Sequence, residues 1–115
     1  MTPKLVYVSG PISIGPIEHN LREALEIGEF IRALGHGAIV PHLDILWQFV
    51  NPHTWEENLA HDEIILSRCD ALYRVPGLSE GADREVRYAE KLPIPVYHYM
   101  NDLRNYLQGH NNGTT

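Results

Sequence analysis

Four short apolar runs, each followed by residues at helical spacing or by a helix-starting signal, leave this chain few ways to fold. The runs are Lys4–Val8, Ala38–Val40, Ala71–Val75 and Ile94–Tyr99. After the first, Ile17, Leu21, Ala24, Ile27 or Gly28, Ile31 and Leu34 recur at three- and four-residue steps. Pro16 suits a first helical turn, and Gly35 suits a stop. Thr54 with Glu57 three residues on is a capping-box pattern, opening a helix whose stripe is Trp55, Leu59, Leu66 and Cys69. A short helix is expected over Glu85–Lys91, closed by Pro93, and a last one over Asp102–Leu107 with Asn101 as cap. The segment from His42 to Pro52 has no clean period and reads as a loop with a helical turn.

Strand and helix thus alternate along the whole chain. That order predicts an α/β three-layer sandwich with a four- to five-stranded, mostly parallel sheet, flavodoxin- or Rossmann-like. One domain is expected over residues 1–108, with a polar, disordered tail at 109–115. Ligands of such folds bind beyond the carboxyl ends of the strands. Those ends carry Ser9-Gly10-Pro11, Pro41-His42 and Pro76-Gly77-Leu78-Ser79.

Charge narrows the ligand class. A formal net charge of -6 argues against nucleic-acid polymers, which recruit basic surfaces. A small phosphorylated ligand stays compatible, because a helix N-terminus binds anions without a basic face. The single cysteine, Cys69, excludes an internal disulfide and a cysteine-based zinc site and reads as a small core residue. No apolar run reaches the ~20 residues that span a bilayer. With no signal-peptide layout at the start, a cytoplasmic protein with no membrane partner is expected.

The stretch Gly77 to Ala89 joins a strand to a helix through small residues. Backbone N–H groups at such a junction favour an anion, and Ser79 adds a hydroxyl donor. Glu85 lies within this unit. It reads either as a nucleophile or stabiliser at an anomeric carbon, or as a solvated first-turn glutamate. Asp62 interrupts the apolar stripe of Trp55, Leu59, Leu66 and Cys69. A carboxylate there is costly to desolvate unless paired. It reads as an acid of raised pKa that assists a leaving base, as a partner of an arginine or histidine, or as the exposed edge of the stripe. Tyr7 is either a hydroxyl donor to a catalytic carboxylate or sugar, or core packing with one satisfied hydroxyl. Gly10 permits a close ligand approach within an ordinary turn. Trp47 and Phe49 serve equally as stacking surfaces for a base or as caps on the core. The seven histidines show no metal-binding spacing and read as scattered, so no metal is expected.

These pieces together resemble the nucleoside 2-deoxyribosyltransferase superfamily, and its short members and small nucleoside 5'-monophosphate N-glycosidases most of all. The resemblance runs from Tyr7 to about Tyr99. It rests on Tyr7-Val8-Ser9-Gly10-Pro11-Ile12, on His61-Asp62 ahead of Ser67-Arg68-Cys69-Asp70-Ala71, and on Ser79-Glu80-Gly81-Ala82-Asp83-Arg84-Glu85 with Ala89. It implies that Glu85 is the group acting at C1' of the sugar, that Asp62 handles the base and that Tyr7 positions Glu85. Relatives acting on unphosphorylated nucleosides resemble one another in having an acid where this chain has Ser79. The monophosphate hydrolases have serine, whose hydroxyl donates to a phosphate that a carboxylate would repel. The first loop has Ser13 where some monophosphate hydrolases have arginine, which leaves Arg84 or a neighbouring subunit to supply charge.

The resulting expectation is an N-glycosidase acting on a (deoxy)nucleoside 5'-monophosphate, by hydrolysis or transfer, without metal or organic cofactor. Substrate contacts are expected from Ser9, Gly10, Pro11, Ile12, His42, Trp47, Ser79, Gly81 and Ala82. Self-association into a homo-oligomer is implied by the resemblance alone. The rival expectations are a nucleotide-binding or sensing module that keeps the cradle and performs no chemistry, and a structural domain working through oligomer contacts.

Overall fold

The computed structural model describes residues 2–109, so the expected tail lies outside the described residues apart from Gly109. Strands β1 (Leu5–Ser9), β2 (Gly37–Ile39), β3 (Ala71–Arg74) and β4 (Val96–Tyr97) form one sheet in the order β2-β1-β3-β4. All three pairings are parallel, with Tyr7 opposite Ile39 on one side and Leu72 on the other. Helices α1 (Ile17–Ala33), α2 (Trp55–Leu66), α3 (Glu80–Lys91) and α4 (Met100–Leu107) cover it.

Alternation along the strands sorts side chains into two cores. Val6, Val8, Tyr73 and Val75 face one way and pack with Ala24 and Ile31 of α1 and with Leu103 and Leu107 of α4. Tyr7 and Leu72 face the other way, onto Leu66 at the end of α2, Cys69 just beyond it and Ala89 of α3. The sheet is therefore buried on both faces, which explains the continuous apolarity of the runs. From β1 the chain passes to β2 on one side, and β3 lies on the other. The crevice between the carboxyl ends of β1 and β3 is thus a topological switch point.

Beyond shifts of one to three residues at the ends of β1, β2, β3 and α2, four elements differ from the sequence expectation. Helix α3 starts at Glu80, not Glu85, because the Ser79 hydroxyl caps it by accepting from the Ala82 N–H at 3.0 Å. Gly81 and Ala82 therefore belong to the helix and not to a loop. Strand β4 keeps only two residues, since Pro93 and Pro95 lack the N–H a longer ladder requires. Helix α4 begins at Met100, so Asn101 sits inside it and not at its cap. Pro41–Phe49 is a nine-residue 3-10 helix where a loop with one turn was expected. Its three-residue repeat aligns Pro41, Asp44 and Trp47 on one ridge and His42, Ile45 and Gln48 on the next. A search for periods of 3.6 or 2 does not see that repeat.

The loops after β1 and β3 interlock. The Val75 N–H donates to the Ser9 carbonyl at 2.7 Å. A Cβ at Gly10 would meet the Val75 Cβ at 2.7 Å, which is closer than packed carbons tolerate. Gly77 has φ +123° and faces Pro11 just as tightly. Gly10→Ala is expected to destabilise the fold by about 1–3 kcal/mol through this overpacking, read as a lowered thermal midpoint. The same change spreads the two loops that form the mouth of the crevice.

Candidate active site

A cavity of about 510 Å³ opens at the switch point. That is within the range of small-molecule sites and has room for a nucleoside. The end of β1 contributes Ser9, Gly10 and Ile12, and the start of α3 contributes Ser79, Gly81, Ala82 and Glu85. Asp62 enters from α2, and both ridges of the 3-10 helix face inward. Its third ridge, Leu43, Leu46 and Phe49, points away and is exposed. Neither Trp47 nor Phe49 caps the core. Trp47 lines the cavity with its ring edge against His61, the centroids 6.0 Å apart, and Phe49 is 80% exposed.

Glu85 is 6% exposed, so the solvated-glutamate reading fails. Its carboxylate accepts from the Tyr7 hydroxyl at 2.5 Å and from the Ser9 hydroxyl at 2.7 Å. Burial raises its pKa, while these two donors oppose the rise by stabilising the charged form. Tyr7 is wholly buried behind Glu85 and held protonated by burial first and the Glu85 charge second. It touches the carboxylate and not the cavity.

Asp62 is also 6% exposed, but no hydroxyl or N–H among the described residues serves its Oδ1. Burial, a hydrogen bond to Asp44 and the charges of Asp44 and Glu85 push its pKa up to about 9. The apolar stripe explains the burial: Leu59 and Leu66 flank it on the same helix. Of the sequence alternatives, no arginine among the described residues pairs with Asp62, and the His61 imidazole lies 3.9 Å off with half its side chain in solvent. Two carboxyls in one cavity thus sit in opposite surroundings, one supplied with donors and one deprived of them. Such pairs divide into base and acid.

His42 donates from Nε2 to the Pro11 carbonyl at 2.9 Å, which leaves Nδ1 as a buried acceptor with no donor among the described residues. Burial lowers its pKa and keeps the ring neutral, so a ligand contact there must be a donor. Pro11 itself does not line the cavity; it orients His42. Ser79 accepts from Ala82 N–H yet keeps its own O–H to donate. Arg84 does not reach the cavity: it pairs with Glu56 and Glu63 on the outer face. Arg74 is engaged by the Val75 and Gly77 carbonyls and by Asp83 at 2.9 Å, which locks the turn into α3. Among the described residues no lysine or arginine lines the cavity, while Asp44, Asp62, Glu80 and Glu85 do.

Asp44 is the residue that sequence reasoning missed. Its segment shows no period of 3.6 or 2, and only the 3-10 turn brings it against Asp62. Asp44, His61 and Asp62 hold one potential ligand atom each within 4.8 Å of one another. Two acids and an exposed imidazole do not of themselves make an ion site, and these residues are not assigned as one.

A family profile described as a domain of unknown function (DUF4406) matches residues 4–98. No curated protein matches the sequence. Among solved structures the fold is similar to that of a 2-deoxyribosyltransferase from the psychrotolerant bacterium Bacillus psychrosaccharolyticus. There the TM-score is 0.65 at 19% identity, over 80% of this chain and 69% of that one. It is similar also to a 2-deoxyribosyltransferase from Leishmania mexicana, with a TM-score of 0.62 at 18% identity, over 82% of this chain and 62% of that one. The α/β architecture expected from the alternation of elements is thus that of the 2-deoxyribosyltransferases.

Proposed function

The chain belongs to the DUF4406 domain family, whose description names no activity, and from the site itself we propose that it breaks or exchanges the base–sugar N-glycosidic bond of a (deoxy)nucleoside 5'-monophosphate. One observation carries the proposal: a donor-supplied carboxylate, Glu85, and a donor-deprived one, Asp62, share one nucleoside-sized cavity. The likeness to the fold of 2-deoxyribosyltransferases agrees with it.

In this reading the Glu85 carboxylate attacks or stabilises C1' as the bond to the base lengthens. Asp62, still protonated at neutral pH, delivers its proton to the departing base. Tyr7 and Ser9 hold Glu85 in place and favour its charged form against the effect of burial. His42 and Trp47 lie on the base side. Ser79 and the start of α3 take the 5' end, where a hydroxyl donor and the helix dipole favour a phosphate. Water as acceptor yields hydrolysis, and a second base yields transfer.

The absence of lysine and arginine from the described lining favours a second reading for the 5' end, an unphosphorylated nucleoside. Base release from 2'-deoxynucleosides and from their 5'-monophosphates, followed by chromatography, separates the two. Preference for the monophosphates, reduced by Ser79→Ala, is expected. Preference for the nucleosides, untouched by Ser79→Ala, assigns the second reading. Thermal stabilisation by these ligands with no base released would leave a binding module and remove the enzyme.

A further inference from the structure

Asp44 and Asp62 each bury a carboxyl oxygen that no N–H or hydroxyl donor among the described residues serves. Carboxylate oxygens only accept, so two ionised acids cannot satisfy one another. Their oxygens belong to a group within 4.8 Å of one another and the two side chains are hydrogen-bonded, which two carboxyls achieve only when a single proton lies between them. No lysine or arginine among the described residues lines the cavity beside the pair. Glu85 faces it from α3 and is itself acidic, while Tyr7 from β1 is a neutral phenol committed to Glu85. His42, on the same 3-10 helix as Asp44, is neutral and donates to Pro11. His61, beside Asp62 on α2, is exposed and 3.9 Å away.

We propose that Asp44 and Asp62 share one proton and work as a single acid toward the leaving base, with Asp44 the positioning residue that keeps the proton on Asp62. This rests on the N-glycosidic reading above. As the C1'–N bond breaks, its electron pair goes to the base nitrogen, which takes the proton from Asp62. C1' bonds to a Glu85 oxygen, and the pair is left as two carboxylates. Water or an incoming base then bonds to C1', Glu85 departs as carboxylate, and the proton released by the acceptor returns to the pair. Repulsion between the two carboxylates favours that return, so the acid is reset within each turnover.

The test uses the full chain with Asp44→Asn and Asp44→Glu. An amide at position 44 donates to Asp62 and stabilises its charged form, so it loosens the proton that an acid at 44 retains. Carbon NMR of the aspartate carboxyls reads this without substrate. The Asp62 midpoint is expected to fall by about two to three pH units in Asp44→Asn and to return in Asp44→Glu. In base release from 2'-deoxyinosine and its 5'-monophosphate, the alkaline limb of the rate profile should move down with it. The rate at pH 8 should fall about 10- to 100-fold. Release from 2'-deoxy-7-methylguanosine, whose base departs without protonation, should change less than about threefold, which a merely structural role would not spare. An Asp62 midpoint and alkaline limb unmoved by Asp44→Asn would overturn the pair, as would base release that is abolished by EDTA and restored by Mg²⁺ or Mn²⁺. If no substrate releases base yet the NMR midpoint moves as stated, the shared proton stands and the N-glycosidic reading falls.

Discussion

Glu85→Gln is expected to abolish base release, with kcat/KM falling by about 10³-fold or more. A neutral amide can neither bond to C1' nor offset the positive charge that develops there. The protein should nevertheless remain folded. Glutamine keeps the shape and an oxygen that accepts from Tyr7 or Ser9, and it removes a buried charge, the costliest element of the site. Its thermal midpoint is therefore expected to be unchanged or higher, as when strained functional groups are neutralised elsewhere. Both measurements are needed together: chromatographic base release and thermal unfolding on one preparation. Lost activity with retained folding supports the role. Undiminished release from a clean preparation removes Glu85 from the mechanism.

Asp62 governs a second large effect, on stability as a function of pH. Its carboxyl is raised from an ordinary 3.8 to about 9, by burial above all. Between those values the folded protein holds a proton that the unfolded chain has released. The unfolded state then binds fewer protons, so stability falls as pH rises, by about 1.4 kcal/mol per pH unit for one full proton. The stability is fully present below about pH 4, and the decline levels off above about pH 9. Asp62→Asn should remove that proton from the balance and flatten the profile. Glu85, shifted in the same direction, adds to the slope that remains, while His42, whose pKa burial lowers, opposes it. Urea unfolding at pH 5, 7 and 9 checks this, and an unchanged slope in Asp62→Asn would show that Asp62 is already ionised at neutral pH. Base release from the same variant should drop about 10²- to 10⁴-fold. Loss of the proton donor also removes its alkaline limb.

Much of the fold was legible because burial repeats along the chain. Val6, Val8 and Tyr7 alternate as a doubly covered strand must, and Ala24, Gly28 and Ile31 mark the inner face of α1. The capping box at Thr54 stands as read, with both of its hydrogen bonds formed. Asp62 was conspicuous for the converse reason, as an acid on a stripe of apolar neighbours. Misreadings came where local signals compete. Small residues after Ser79 looked like loop, although a serine cap can start a helix through glycine and alanine. Residues 41–49 followed a period of three that neither strand nor α-helix templates contain.

What the chain determines by itself is periodicity, and hence which residues must be covered: the alternation of elements, the parallel sheet and the oddity of a buried acid. Those follow from solvation and backbone geometry, which act residue by residue. Only the tertiary structure decided that Tyr7 and Ser9 donate to Glu85 across 78 and 76 residues. It alone set Asp44 against Asp62, turned Arg84 outward and left the described lining free of cations. Charge interactions depend on distance and on the medium between the groups, and neither exists until the chain has packed.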